Sequence, residues 1–131
     1  MNLVFDTSFL SAFLDKEERA LKNFDELSYD SLSIPLATDA ELRFGYNYGT
    51  KKSENLEKYD DFKQHFNAKI IFPDQNTSLI YADLASWCRK KGISLSNNDF
   101  WIASMCVQTS GKLLTLDKDF AQLPQLRLVS I

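Results

Sequence analysis

The chain has 131 residues, of which 44% are hydrophobic and 25% charged, and its formal net charge is −3. This length supports one hydrophobic core, so we predict a single domain over residues 1–131. The composition excludes a disordered protein, and no apolar run reaches the roughly 18 to 20 residues that span a bilayer. The N-terminus also lacks the pattern of a secretory signal, so we expect a cytoplasmic protein without a membrane partner.

Short strands and helices alternate along the chain. In chain order, strands are predicted over 2–5, 32–34, 69–72, 112–116 and 127–130, and helices over 9–14, 17–27, 37–48, 52–66, 76–91 and 97–110. Strands joined by helical connections indicate a sheet that is covered on both faces. We therefore predict an α/β fold with a mainly parallel sheet of four to five strands.

The cysteines and the histidine offer little material for catalysis. Cys88 and Cys106 lie in apolar helical patterns without a Cys-x-x-Cys spacing, which predicts buried, reduced thiols. His65, the only histidine, lies in a polar stretch. A histidine-based triad and a zinc site built on histidine are therefore excluded as mechanisms.

Four acidic residues stand where apolar segments begin, end or turn inward: Asp6, Glu41, Asp99 and Asp117. Asp6 and Asp117 each follow a predicted strand, and ligands of parallel sheets bind at the carboxyl ends of strands. Converging carboxylates are most readily neutralised by a hard divalent cation. Acids without histidine favour Mg²⁺, with Mn²⁺ as the alternative, over Zn²⁺. The pattern predicts one metal site.

Helical phase is the argument for Glu41. At about 100° per residue, Glu41 shares a face with Ala37, Phe44 and Tyr48, while Asp39 points roughly to the opposite side. We therefore predict that Glu41 is the inward acid and that Asp39 is a surface charge.

Each candidate acid also has a purely structural alternative. Asp6 can cap the first helix, and Asp99 can favour the macrodipole of the last one, although the asparagines before Asp99 could supply that cap. Glu41 could pair with an arginine, and Asp117 could belong to a turn. Whether Asp119 joins Asp117 at a metal stays open.

The four acids belong to four short motifs in a fixed order. They are Val-Phe-Asp-Thr-Ser-Phe-Leu at 4–10, Glu-Leu-Arg-Phe-Gly at 41–45, Asn-Asp-Phe-Trp-Ile-Ala at 98–103 and Leu-Thr-Leu-Asp-Lys-Asp-Phe at 114–120. Together they resemble the PIN-domain ribonucleases, and within them the VapC-type toxins of bacterial toxin–antitoxin systems. The resemblance runs from end to end, with Ser8 standing where that family often has Asn.

The resemblance implies a Rossmann-like, three-layer PIN fold with an acidic pocket at the carboxyl edge of its sheet. It implies Mg²⁺-dependent hydrolysis of an RNA phosphodiester, in a transfer RNA or ribosomal RNA loop. It also implies a VapB-type antitoxin as partner and a homodimer within a toxin–antitoxin hetero-oligomer. The acids that would bind metal and catalyse are Asp6, Glu41, Asp99 and Asp117, and the supporting hydroxyls are those of Thr7, Ser8 and Thr115.

An acidic pocket needs a positive rim to hold an RNA backbone. The predicted rim residues are Arg43, Lys51, Lys52, Arg89, Lys90, Lys91 and Lys118, although solvated helix ends are the simpler explanation for 51–52 and 89–91. Phe9, Tyr48 and Trp101 are predicted in the core or in a subunit interface. Stacking of an exposed aromatic ring on an unpaired base is the alternative.

Three other functions fit parts of the pattern. A PIN-fold nuclease of RNA processing and a PIN module that only binds would carry the same acids. A receiver-like phospho-acceptor domain also places Asp and Thr at strand ends. It requires adjacent acids after the first strand, however, whereas Asp6 is followed by Thr7 and Ser8.

Overall fold

The fold is known from a computed structural model that describes residues 1–130. Ile131, the last residue of the predicted domain, lies outside the described residues. Within 1–130 the strands are β1 (Asn2–Phe5), β2 (Ser31–Pro35), β3 (Lys69–Ile71) and β4 (Lys112–Leu114). The helices are α1 (Thr7–Leu14), α2 (Glu18–Asp25), α3 (Leu36–Tyr48), α4 (Lys52–Phe66), α5 (Gln75–Lys91) and α6 (Asn97–Gln108), and a 3-10 helix covers Lys118–Gln122.

The strands form one parallel sheet in the order β3-β2-β1-β4. Val4 of β1 lies opposite Ser33 of β2 on one side and Leu113 of β4 on the other. The central strand β1 is buried after its first residue, as expected for a parallel sheet covered on both faces. The predicted α/β fold is confirmed, and the end of β1 lies between two neighbouring strands, where such sheets bind ligands.

In place of the strand predicted over 127–130, the structure has a single β-bridge. Leu128 forms an isolated parallel bridge with Leu113, whose N–H is donated to the carbonyl of Arg127 over 2.9 Å. The predicted strand over 112–116 is also shorter, because the N–H of Leu116 turns away to the hydroxyl of Ser8. The terminal segment therefore covers the edge of β4 without extending the sheet by a full strand.

The sheet separates two hydrophobic cores. On one face, Phe5 packs against Phe9, Phe24 and Phe62, with ring centroids 5.5 to 6.1 Å apart. On the other face, side chains of α5 and α6 cover the sheet around Val4. This arrangement gives the predicted three layers, helices, sheet and helices.

The two cysteines belong to the second core. Cys88 and Cys106 are both buried and free, which confirms the prediction for them. Burial raises the pKa of the Cys106 thiol to about 12, so this side chain stays a thiol at neutral pH. Among residues 1–130, no helix combines the length and the apolar character needed to cross a membrane.

Candidate functional site at the carboxyl end of the central strand

Asp6 lies directly after the central strand and is the most buried of the candidate acids. The residue is 3% exposed. Its carboxylate Oδ1 accepts the N–H of Phe9 over 2.9 Å, so Asp6 does cap α1. The hydroxyl of Ser8 lies 2.9 Å from each carboxylate oxygen, and the hydroxyl of Thr115 donates to Oδ2. The Asp6 carboxylate therefore accepts one hydrogen bond as the cap of α1, and it accepts further hydrogen bonds from the two hydroxyls.

The same two hydroxyls connect Asp6 to the loop that follows β4. Ser8 Oγ accepts the N–H of Leu116 over 3.0 Å, and Thr115 Oγ1 accepts the N–H of Asp117 over 2.9 Å. Each hydroxyl therefore donates to Asp6 and accepts from this loop. Ser8 and Thr115, both predicted to support the acids, thus contact Asp6 directly and bring Asp117 next to it.

Burial raises the pKa of Asp6 from 3.8 to about 6, and the negative charge of Asp117 acts in the same direction. The hydrogen bonds from Thr115, Phe9 and Ser8 act in the opposite direction and favour the carboxylate. They do not fully offset the cost of burial. A negative charge at Asp6 is therefore only partly compensated by the groups around it.

Asp119 lies at the surface beyond this loop. Its backbone N–H is donated to Asp117 Oδ1 over 2.9 Å, which caps the 3-10 helix. The turn that was the alternative explanation for Asp117 is therefore present. The exposed side chain of Asp119 stands outside the network around Asp6.

Glu41 reaches the site through Thr7. The hydroxyl of Thr7, the first residue of α1, donates to Glu41 Oε1 over 2.6 Å. Glu41 is half-buried and lines a cavity of about 500 Å³ together with Thr7, Ala40, Phe44 and Asn98. The structure thus brings Glu41 to the same edge of the sheet as Asp6.

The prediction that Asp39 is a surface charge is wrong. Asp39 is 9% exposed and accepts the hydroxyl of Tyr59 over 2.7 Å. Arg43 Nε lies 3.0 Å from Asp39 Oδ2 in a salt bridge. Burial and this hydrogen bond raise the pKa of Tyr59. The side of α3 that carries Asp39 packs on α4, so the phase that turns Glu41 toward the crevice turns Asp39 into the core.

The apolar residues that share a face with Glu41 are correspondingly exposed. Tyr48 was predicted in the core or in a subunit interface; it does not lie in the core, because it is 86% exposed in the chain, and Phe44 is 70% exposed. Phe9 is fully buried, as predicted, and Trp101 is half-buried against Tyr81. Sequence reasoning missed Phe44 as part of the site wall, because an apolar residue at helical spacing resembles a core residue.

Asp99 has a structural task at the start of α6. The hydroxyl of Ser96 accepts the Asp99 N–H over 3.1 Å, and the Asp99 carboxylate accepts the Ser96 N–H over 3.3 Å. This capping box replaces the cap expected from Asn97 and Asn98. Asn98 instead lines the cavity beside Glu41. The start of α6 therefore borders the site, although no hydrogen bond within 1–130 joins Asp99 to the other three acids.

The side chains at the site are of the type that binds a hard cation, but the acids are not close enough together to enclose one. Over the described part of the chain, no three carboxylate, imidazole or thiol side chains converge closely enough to hold a metal ion among them. The groups that do meet are carboxylates and hydroxyls, which are the oxygen donors that Mg²⁺ selects. Mg²⁺ usually keeps several waters and uses one or two protein carboxylates, an arrangement that Asp6 and Asp117 could supply.

The basic residues predicted for the rim fall into two groups. Arg43 is engaged by Asp39, whereas the other six side chains are exposed at helix ends and in the loop after β4. These six are Lys51, Lys52, Arg89, Lys90, Lys91 and Lys118.

The chain is similar to known proteins over nearly its whole length. The sequence profile of the PIN domain matches residues 3–126. Ribonuclease VapC2 of Rickettsia felis is 28% identical over 131 residues, covering 98% of this chain and 96% of the relative. Ribonuclease VapC1 of Haemophilus influenzae is 26% identical over 102 residues, covering 77% and 75%. The crystal structure of VapBC2 from Rickettsia felis, bound to a DNA fragment from their promoter, contains a chain with a TM-score of 0.88 and 26% identity, covering 98% of each chain.

The burial of Asp6 predicts a specific dependence of stability on pH. The folded state binds the Asp6 proton more tightly than the unfolded chain, so ionisation of Asp6 destabilises the fold. Without divalent cations, this contribution is fully present below pH 4 and is lost as the pH rises through about 6, at a cost of at most about 3 kcal/mol. Asp6→Asn should remove that part of the slope and be more stable than the wild type at pH 8.

Denaturant unfolding between pH 4 and pH 8 measures this dependence. Asp119→Asn is the matched control, because it also removes one carboxylate but from an exposed position. An Asp6→Asn variant with the same slope as the wild type would show that Asp6 ionises without cost in the folded protein.

The Asp39–Tyr59 contact predicts a loss of stability in Tyr59→Phe. Removing the hydroxyl leaves the buried carboxylate with one donor fewer, which should lower the free energy of unfolding by about 1–3 kcal/mol. Tyr46→Phe is the control, because no hydrogen bond of the Tyr46 hydroxyl is seen within residues 1–130 and its removal should be nearly neutral. Equal losses in both variants would contradict the importance of this contact.

Proposed function

The chain belongs to the PIN domain family, and on this basis we propose that it is a metal-dependent endoribonuclease, the toxin of a VapBC-type toxin–antitoxin pair. The relatives named as ribonucleases support the reaction class. A structural neighbour that was solved as a VapBC complex supports the assignment to a toxin–antitoxin pair.

One structural observation supports a metal-dependent mechanism in this family member. The buried carboxylate of Asp6 shares two hydroxyls with the loop that carries Asp117, at the edge of the sheet where α/β proteins bind ligands. Glu41 meets the same edge through Thr7. A carboxylate with a solely structural role gains nothing from a second uncompensated negative charge beside it. Such a pair is suited to a cation.

Mg²⁺ or Mn²⁺ would be held by Asp6, Asp99 and Asp117, with Glu41 and Asp119 as further candidate ligands. When bound, the metal would activate a water and neutralise charge on the phosphate.

The residues of the chain itself would prepare the site. Ser8 and Thr115 fix the orientation of the Asp6 carboxylate, and Thr7 fixes that of Glu41. Mutating a hydroxyl that orients a metal ligand in this way typically lowers metal affinity or activity by about 10- to 100-fold. Asp99 would reach the substrate side only if it shares or releases its bond to the Ser96 N–H.

The substrate we propose is structured RNA that is cleaved in an unpaired loop, as in a transfer RNA or a ribosomal RNA. The exposed cations at 51–52, 89–91 and 118 would hold the phosphate backbone around the acidic crevice. The partner we propose is a VapB-type antitoxin, and the toxin would form a homodimer within the toxin–antitoxin hetero-oligomer.

A PIN module that binds RNA without cleaving it is the second candidate. Two observations favour it: Asp99 is engaged in a capping box, and within 1–130 no three acids already converge on a cation position. A housekeeping RNA-processing nuclease would share the site of the toxin. Growth arrest on expression, relieved by a co-expressed antitoxin, separates the toxin from that alternative.

Cleavage of RNA by the purified protein tests the proposal. The wild type should cleave 5′-labelled RNA in Mg²⁺ and stop when EDTA is added. Asp6→Asn should reduce the rate by about 10²-fold or more, because it removes a charge that the metal requires. Thr115→Val should reduce it by about 10- to 100-fold, because only the orientation of Asp6 is lost.

Asp83→Asn changes an exposed acid of α5 outside the candidate site, so it serves as the control and should keep the wild-type activity. Each variant is first compared with the wild type by circular dichroism. A folded Asp6→Asn protein that cleaves at the wild-type rate, or wild-type cleavage that continues in EDTA, would refute the metal-dependent mechanism.

A further inference from the structure

We propose that Phe44 and Tyr48 form a stacking platform for an unpaired base of the RNA substrate, beside the acidic site. This inference rests on the proposed ribonuclease function and adds the part of the protein that would recognise single-stranded RNA. Phe44 and Tyr48 together are termed the aromatic platform.

The platform consists of two rings that the fold leaves in solvent. Phe44 is 70% exposed and Tyr48 is 86% exposed. They lie one turn apart on α3, with ring centroids 6.1 Å apart and ring planes inclined by 25°. Their π-faces are therefore nearly parallel, whereas most ring pairs in the core around Phe62 and Phe66 meet edge to face. Exposed rings that face the same way are the arrangement on which bases stack.

The platform is continuous with the candidate site. Phe44 lies three positions after Glu41 on the same face of α3, and both line the cavity of about 500 Å³ with Thr7 and Asn98. Thr7 in turn follows Asp6. A base on Phe44 would therefore place its phosphate at the side of the cavity where the acids lie.

The charge around the platform suits a polyanion. Residues 44–53 contain two basic residues and no acidic residue, in a chain whose net charge is −3. Lys51 and Lys52 follow the platform at the turn into α4, and both are exposed. Aromatic rings next to exposed cations are characteristic of sites that bind single-stranded nucleic acid.

The size of the platform fits a base better than a protein. An aromatic side chain offers about 150–250 Å², so the two exposed fractions amount to about 300 Å². A stable protein interface buries about 800 Å² on each partner. One or two bases would cover the rings completely, whereas the rings alone supply less than half of the surface that a protein partner would bury.

The test measures binding apart from cleavage. All variants are made in the Asp6→Asn background in Mg²⁺, so that the RNA stays intact, and the probe is a single-stranded oligoribonucleotide with one 2-aminopurine, whose fluorescence falls on stacking. The Phe44→Leu/Tyr48→Leu double variant keeps the apolar bulk and loses both π-faces. We expect it to bind about 5- to 150-fold more weakly and to lose the quenching, since stacking contributes about 1–3 kcal/mol per base.

Phe72→Leu is the matched control, because Phe72 is also an exposed phenylalanine, at 67%, but lies after β3 and does not line the cavity. The same changes in the otherwise wild-type enzyme should raise KM for an unpaired RNA more than they lower kcat.

The outcomes separate the platform from the nuclease proposal. If the wild type cleaves no RNA but the quenching is present and is lost only in the double variant, the nuclease fails and the platform stands. If the double variant binds and quenches like the Phe72→Leu control, the platform is refuted. If it changes the sedimentation mass of the protein at unchanged RNA affinity, the rings form a self-association surface and the proposal is likewise refuted.

Discussion

The buried carboxylate of Asp6 is the contact on which the organisation of the site depends. It caps α1, and through the hydroxyls of Ser8 and Thr115 it joins the start of that helix to the loop after β4. These donors offset part of the cost of burying a charge, and the remaining cost appears as the raised pKa of Asp6. A group held in this way is costly for the folded chain alone. Under the proposed function a cation in the crevice would offset this cost, which would link the stability of the fold to its chemistry.

A second buried acid organises the neighbouring wall. Asp39, held by Tyr59 and Arg43, fixes the rotation of α3 against α4. With that side of the helix in the core, Glu41 faces the crevice, and Phe44 and Tyr48 follow it into solvent. The site therefore combines two devices that the fold makes separately. One is a strand end that concentrates negative charge, and the other is a helix face that presents an acid and two rings.

The parallel sheet and the position of Asp6 could be predicted from sequence, because strand ends and helix caps are local features. The hydroxyl of Ser8 is likewise local to Asp6, which it contacts. Thr7 contacts Glu41 and Thr115 contacts Asp6 across 34 and 109 positions, so those two contacts depend on the fold. Helical phase identified the face of Glu41 but not which face is buried, because the partner of Asp39 is Tyr59, twenty positions away. The cap of α6 was misassigned by one residue, since Ser96, Asn97 and Asn98 are all good caps and only the structure distinguishes them. The prediction of a strand over 127–130 was wrong because pairing with β4 cannot be read from a local pattern. The segment has the pattern of a strand, but only one of its residues forms a bridge with β4.

The pKa of Asp6 with and without Mg²⁺ tests the central claim most directly. It can be followed through the carboxyl carbon of Asp6 in a pH titration by NMR, and Asp117→Asn provides the comparison. If Asp6 and Asp117 share a cation, millimolar Mg²⁺ should lower the pKa of Asp6 from about 6 to below its ordinary value of 3.8, and Asp117→Asn should weaken that effect. A pKa of Asp6 that stays near 6 at saturating Mg²⁺ would contradict the claim that this buried carboxylate belongs to a metal site.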